Sequence, residues 1–480
     1  MFRWNKIFTK ELIIHPLNIV LLFIVNTSAQ KIKAGLPVGF VEPVVSFLII
    51  LIFSLVIFFI INLFFKDRFK TSLMMSFILL VILFFGDIVE LVTYFEVAKK
   101  LRDVSIPVGK LFLTIILSLF LLGGLTVWLR KLNRSPIKMN SYLNILTAIF
   151  LIIEIFDFSF PDIYKINLKE KIELKIHSND KTKVPDIYFI LLDGYTGFPG
   201  LERLCNYENN DFKKFLTSND FFIAENAKAI YHRTIYSMVS IFNMSEIIYN
   251  IDDIDSKASF LSLADHIKNN SVVNFFNEKG YKFVNFSFWD IFDTKKYYKD
   301  IFYFRRGNIY EARTMYGHLY EIYNENFADL AETNLNIFKQ LTELKNFSES
   351  KPKFVYAHIT MPHYPFYFDA EGKKMDLTYA LDRKDKNKYL EQLKYTNKLL
   401  MKTINDILNS AKEPPVIIIQ SDHGFRAYTG KGKEEIKYSA LSCFYFPDKD
   451  YSLLNDSLKT TNIFKVIFNK YFNQDLKLVN

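Results

Sequence analysis

The sequence predicts an α/β protein in two parts: a bundle of five transmembrane helices, then a soluble α/β sandwich with one main sheet. Three observations carry this. The first 160 of 480 residues are largely apolar, strand-like and helix-like runs alternate from Val184 onward, and two strand-like runs end in an acid closely followed by glycine.

Four stretches, at about 44–65, 71–95, 110–129 and 141–160, reach the roughly 20 residues needed to cross a bilayer. A fifth, 12–25, is shorter and carries His15 and Pro16, and the topology depends on it. With five spans and the amino end in the cytoplasm, the inside segments 1–11, 66–70 and 130–138 hold ten Lys and Arg. The outside loops hold six, so the basic excess is inside and everything after residue 160 faces outward. Four spans would reverse this. Five are preferred to a cleaved signal peptide, because Asn26-Thr27-Ser28-Ala29-Gln30 is a weak cleavage site. Asp87, Glu90, Glu154 and Asp157 fall toward the outer ends of the third and fifth spans. They line a headgroup entry, anchor the outer domain, or simply end the helices.

The formal charge of +9 does not point to nucleic acid. Residues 1–160 hold 16 Lys and Arg against 9 Asp and Glu, which leaves +2 for the remaining 320 residues, an ordinary solvated surface. Cys205 and Cys443 are too few for a disulfide framework and have no zinc-ligand spacing; one bridge or two buried thiols both fit.

Residues 161–183 are polar and read as a linker to a domain spanning 184–480. Strands are predicted at 185–192, 282–288, 353–360, 415–421 and 441–446, and helices at about 234–243, 259–279, 327–345 and 388–411. That order places helices on both faces of the sheet. The acidic run Asp252-Asp253-Ile254-Asp255 lacks the later glycine and glutamate of a calcium loop and reads as a solvated turn.

The most informative segment is Pro415-Val416-Ile417-Ile418-Ile419-Gln420-Ser421-Asp422-His423-Gly424, a buried strand that ends in an acid and an imidazole. A second, Val184-Pro185-Asp186-Ile187-Tyr188-Phe189-Ile190-Leu191-Leu192-Asp193-Gly194, ends in the same way. Either acid alone can merely cap a turn; two such ends beside His423 favour a shared divalent metal. Thr234 opens a helical run after Arg233. It is either a helix cap or a hydroxyl that ligates the ion and is activated by it, with the helix amino end and Arg233 favouring an incoming anion.

Strand-Asp193-Gly194, then Thr234-Ile235-Tyr236-Ser237, then His363-Tyr364-Pro365-Phe366, then strand-Ser421-Asp422-His423-Gly424 resembles the alkaline phosphatase and sulfatase superfamily. Five spans before an outward domain resemble its lipoteichoic acid synthase and phosphoethanolamine transferase branch, whose members often have Glu where this chain has Asp193. The resemblance implies an alkaline phosphatase-like sandwich with a central mixed sheet. It implies that Asp193, Thr234, Asp422 and His423 bind one divalent ion, Mn or Zn, and that Thr234 is the nucleophile. His363 matches the histidine that touches the substrate phosphate or protonates the leaving oxygen. His358 is either buried and hydrogen-bonded or an aid to the site; Arg426, His232 and Trp289 are candidate substrate contacts.

Two absences bear on the chemistry. Thr234-Ile235-Tyr236-Ser237-Met238 lacks the Cys/Ser-x-Pro-x-Arg segment of formylglycine sulfatases, and His423 is the last histidine, which disfavours a second zinc site. The expected function is a phosphotransferase of the plasma membrane with an extracytoplasmic catalytic domain. It would work through a phospho-threonine, from a phospholipid or lipid-linked donor to a surface glycan or lipid acceptor. A sulfatase-like or phosphodiesterase-like hydrolase and a non-catalytic envelope protein are the alternatives.

Overall fold

The computed structural model describes residues 12–34, 36, 38–94, 107–160, 166–175, 184–248, 257–292, 294, 309–320, 330–344, 351–376, 380 and 382–479. The acidic run 252–255 lies outside them. The chain forms two compact units. One comprises Met1–Lys165, Asp253–Ser262 and Phe302–Phe327, the other Ile166–Asp252, Leu263–Ile301 and Ala328–Asn480. The change of unit at Lys165–Ile166 falls within the predicted linker at 161–183. Two later segments cluster with the first unit, which a pattern of alternating hydropathy cannot reveal.

The first unit is helical: α1 (His15–Lys33), α2 (Val41–Phe65), α3 (Arg68–Leu83), α4 (Phe85–Tyr94), α5 (Pro107–Lys131) and α6 (Ile137–Ser159). Among the described residues, α2, α6 and the Leu111–Lys131 part of α5 are long and apolar enough to cross a membrane. The pair α3 and α4 makes a fourth only if counted together, and it bends by 74°. The predicted unbroken helix 71–95 is thus interrupted. At the bend the Gly86 amide donates to the Arg313 carbonyl at 3.3 Å, so it does not serve the helical ladder.

The predicted span at 12–25 becomes α1, which falls outside the apolar set because it is studded with polar groups. Those groups are satisfied by neighbouring helices. The His15 ring meets Ser76 Oγ at 2.5 Å and Asn140 Oδ1 at 3.0 Å. Asn18 donates to Thr147 Oγ1 at 3.0 Å, Asn26 to Glu154 Oε1 at 2.8 Å and Lys33 to Asp157 Oδ2 at 2.6 Å. Partner numbers rise together along both chains, so α1 and α6 run parallel.

The second unit is built on a six-stranded sheet of β1 (Ile187–Leu192), β2 (Phe222–Ile223), β3 (Lys282–Phe286), β4 (Lys353–Ile359), β5 (Val416–Gln420) and β6 (Ser442–Tyr445). The order is β2-β6-β5-β1-β4-β3. The four strands from β5 to β3 are parallel, while β6 and β2 close one side antiparallel. Every residue of β1 and β5 is buried, the expected state of central parallel strands covered on both faces. The side-chain period of two divides β1 cleanly. Tyr188, Ile190 and Leu192 pack with Leu201 of α7 (Phe198–Cys205). Three further helices are α8 (Thr234–Asn243), α9 (Ser271–Glu278) and α10 (Leu330–Glu343), followed by α11 (Lys386–Ser410) and α12 (Ile463–Phe472). Phe338 of α10 and Leu400 of α11 join the first face. On the other face Phe189 meets Phe242 of α8 at 6.1 Å and Phe464 of α12 at 5.1 Å, and Phe276 of α9 stacks on Phe354 at 4.3 Å. Each such buried side chain stabilises the fold by about 1.5–3 kcal/mol.

Part of the predicted linker belongs to this unit. Asn167–Leu168 pairs antiparallel with Ile247–Ile248, and the Gln474 side chain clasps the backbone of Lys175. Both cysteines are free thiols; Cys443 is buried in β6 and Cys205 is half-buried.

Candidate active site

Because β5, β1 and β4 are parallel neighbours, their carboxyl ends emerge along one edge, and the candidate residues follow those ends directly. Asp193 follows Leu192, Asp422 and His423 follow Gln420 after one serine, and His363 lies four residues beyond Ile359. Thr234 comes from across the edge as the first residue of α8. Arg233 occupies the cap position, and no side chain caps the helix. The Thr234 hydroxyl is therefore not spent on the helix. It lies 3.5 Å from Asp193 Oδ2 and 3.4 Å from His423 Nε2.

The donor set fits a cation. Asp422 Oδ1 accepts the amide hydrogens of Gly194 and His423, each at 3.0 Å. Asp422 Oδ2 and Asp193 Oδ1 are buried with no hydrogen-bond partner. His423 Nδ1 is 2.7 Å from the Gly424 carbonyl, which assigns the proton to Nδ1 and leaves a lone pair on Nε2. That lone pair faces Asp422 Oδ2 at 3.3 Å and Asp193 Oδ1 at 3.7 Å. Acceptors turned toward one another in a buried space are unfavourable unless a positive charge lies between them. The ligand atoms of Asp193, Asp422 and His423 all lie within 4.8 Å of one another. Carboxylates, an imidazole and a hydroxyl together suit a borderline ion such as Zn or Mn.

Electrostatics agree with the geometry. Burial, reinforced by the charge of Asp193, pushes Asp422 up to about 6. Burial also opposes the charge of Asp193, but the facing imidazoles of His363, His358 and His423 outweigh it and hold that carboxyl well below its usual range. His423 is pushed down to about 4 by burial and then by Arg426, so its ring is neutral and able to ligate at pH 7. Burial lowers His363 as well.

The remaining candidates divide into two sets. His358 is fully buried. Its Nδ1 accepts from Tyr356 Oη at 2.8 Å and from Trp289 Nε1 at 3.3 Å, which turns Nε2–H toward Asp193 Oδ2 at 3.5 Å. Trp289 is 1 % exposed. Trp289, expected as a substrate contact, is instead enclosed, with its indole bound to His358. These two residues orient Asp193 rather than line an open surface, and Asp290 pairs with Lys268 at 3.3 Å. Arg426 is exposed, and His363 and His232 are half-buried. His363 donates Nδ1–H to the Tyr364 carbonyl at 2.6 Å and accepts on Nε2 from Arg426 at 3.2 Å. His232 meets Tyr438 Oη at 3.2 Å. Burial, then Lys437 and Arg233, pushes it down to about 4.

Tyr356 and Tyr438 were not singled out from the sequence. Tyr356 was legible, because it lies two residues before His358 on one strand and so shares its face. Tyr438 had no local signal.

Residues 241–442 match the family model described as Sulfatase. The stretch includes His358, His363, Asp422 and His423 and begins after Asp193 and Thr234, so those two positions rest on geometry alone. No curated protein sequence matches the chain significantly. Among solved structures, the C-terminal periplasmic domain of phosphoethanolamine transferase EptC from Campylobacter jejuni is 16% identical, with 62% of this chain and 92% of that one covered and a TM-score of 0.38. The integral membrane lipooligosaccharide phosphoethanolamine transferase A from Neisseria meningitidis is 10% identical, with 75% and 69% covered and a TM-score of 0.40. A putative sulfatase, yidJ, from Bacteroides fragilis is 12% identical, with 62% and 76% covered and a TM-score of 0.38.

Proposed function

We propose that this chain, a membrane protein that carries a sulfatase-family domain, is a metal-dependent transferase that moves a phospho group from a lipid donor to a surface glycan or lipid through phospho-Thr234. The observation that carries this reading is the spare hydroxyl of Thr234, at a helix amino end and within 3.5 Å of Asp193 and His423. A divalent ion held by Asp193, Thr234, Asp422 and His423 would lower the pKa of that hydroxyl and offset phosphoryl charge.

The chain's own groups supply the rest. Thr234 gives up its proton to Nε2 of the neutral His363 ring and its Oγ1 forms a bond to phosphorus as the bond to the leaving oxygen breaks, and His363 passes that proton on to the leaving oxygen. The amide groups at the start of α8 and the guanidinium of Arg426 favour the anionic phosphoryl oxygens. An acceptor hydroxyl then loses its proton to His363 and attacks phosphorus as the bond to Thr234 Oγ1 breaks, and His363 returns the proton to that oxygen. With water as acceptor the same cycle is hydrolysis. Sulfate-ester chemistry is disfavoured, since Thr234 stands where a formylglycine precursor would be needed.

Five spans with the amino end in the cytoplasm are part of the proposal. The 19 residues of α1 rise about 28 Å, close to the hydrocarbon thickness of a bilayer. Its polar groups are satisfied by helix neighbours, which removes the main objection to its crossing. Because α1 runs parallel to α6, both helices end on the same face of the membrane, and the chain continues from that face after α6. The domain is then extracytoplasmic, at the plasma membrane.

The test is a mass spectrum of the full-length protein purified from its native membrane. The expected result is a phospho-containing adduct on Thr234 that is absent from Thr234→Ala, together with a loss of turnover of at least about a thousandfold. An adduct on another residue, or full turnover by Thr234→Ala, refutes the reading.

A further inference from the structure

Residues 302–327 cluster with the membrane helices, although the chain before and after them belongs to the catalytic unit. The described part of this insert is seated by a buried charge. Arg313 is 3 % exposed, and its guanidinium donates to Asn26 Oδ1 at 2.6 Å, Thr27 Oγ1 at 3.0 Å and Asp87 Oδ2 at 2.9 Å. Beside it the buried Tyr310 shares a hydrogen bond of 2.6 Å with Ser28 Oγ. Three consecutive polar residues of α1, Asn26, Thr27 and Ser28, thus face the insert. A second observation is independent of the charge. A methyl at Gly86 would come within 2.6 Å of His318 Nε2, so the insert packs closely on the bend between α3 and α4 and its His318 ring would have to move for any side chain there. An arginine enclosed among membrane helices is costly to maintain and calls for a function.

The sequence on either side of the insert leads to the site. Trp289, which binds His358, lies upstream, and Asn334, whose Oδ1 accepts the Thr360 amide at 2.7 Å, lies downstream. We propose that Arg313 is a positioning residue for lipid-borne substrate: by fastening this insert into the membrane helices it is required for turnover of a phosphodiester embedded in a bilayer and dispensable for a soluble one. The inference rests on the phosphotransfer reading of Thr234.

The experiment uses the full chain reconstituted in vesicles of phosphatidylethanolamine and phosphatidylglycerol, with diacylglycerol release as one readout. Release of nitrophenol from soluble bis(p-nitrophenyl) phosphate is the other. Arg313→Ala and Gly86→Val are each expected to lower vesicle turnover by about tenfold or more, a usual size for coupling between sites. Both should keep nitrophenol release within about twofold of wild type, which also reports that the site has folded. The exchange Asp87→Arg with Arg313→Asp should recover part of the vesicle activity. Vesicle turnover unchanged in both variants overturns the inference, and so does an equal loss on both substrates, which would mark a purely structural role. Wild-type rates on both substrates from Thr234→Ala would instead bring down the phosphotransfer reading, and the inference with it.

Discussion

Replacing Asp422 with Asn separates the cost of burying a second carboxylate beside Asp193 from the capacity to hold a cation. In the metal-free protein Asp422 is buried beside Asp193, and its pKa stands at about 6 against an ordinary 3.8. That difference amounts to about 3 kcal/mol, at 1.36 kcal/mol per unit. The folded-state pKa is raised, so the associated stability is fully present below pH 3.8 and is lost as pH rises through 6. Asparagine does not titrate. Its carbonyl can keep the bonds to the Gly194 and His423 amides, and its NH2 can donate to the His423 Nε2 lone pair. Metal-free Asp422→Asn should therefore unfold above the wild type at pH 7, by roughly 5–10 °C for a domain of this size, and level with it near pH 4. Zn or Mn should raise the melting temperature of the wild type but not of the variant. Cation affinity should fall by at least about a hundredfold, since changes behind the ligands alone cost 10–100-fold. A metal-free variant destabilised equally at pH 7 and pH 4, with a wild-type response to Zn, would refute the assignment of Asp422.

Two further outcomes follow from the same geometry. Cation affinity of the wild type should weaken by about tenfold per pH unit below about 6, because a proton on Asp422 must leave before it ligates, and more steeply below about 4, where His423 also takes one. Isothermal titration with Zn between pH 3.5 and 7.5 checks this, and a flat profile would contradict it. In intact cells, single cysteines placed at Lys138 and at exposed Lys412, with both native cysteines replaced, should label differently with an impermeant maleimide. Labelling is expected at 412 and not at 138, and the reverse pattern would exclude five spans with an inside amino end.

Much of the site was legible because its residues punctuate strands. Asp193 and Asp422 end runs whose side chains are all buried, and an acid at such an end stands out against its surroundings. Thr234 was harder, since a threonine at a helix start is ordinarily a cap. Only the structure shows Arg233 in the cap position and the hydroxyl turned to the carboxylates. Trp289 was misread because burial is a tertiary property; its indole is occupied by His358, from a strand almost 70 residues away. The fold followed the predicted strands to within one or two residues, but β2 is only two residues long and too short to carry a pattern. In the membrane unit, hydropathy marked only residues 12–25 of α1, whose later polar groups are met by α6, and joined α3 to α4 across a bend at which the Gly86 amide bonds the Arg313 carbonyl. Contacts between residues more than 200 positions apart leave no trace in a local window.

The imidazole of His423 is oriented by a peptide carbonyl rather than by a second side chain. The tautomer needed for ligation is thus immune to substitution of any neighbouring acid and depends only on the path of the backbone at residue 424. That path is narrow. A methyl group at Gly424 would run into the carbonyl of Ile436 and come within 2.7 Å of that of Ser439. Gly424→Ala is expected to shift this stretch of backbone and with it the carbonyl that holds Nδ1, so the proposed cation site would be weakened with Asp193, Thr234, Asp422 and His423 all still in the sequence.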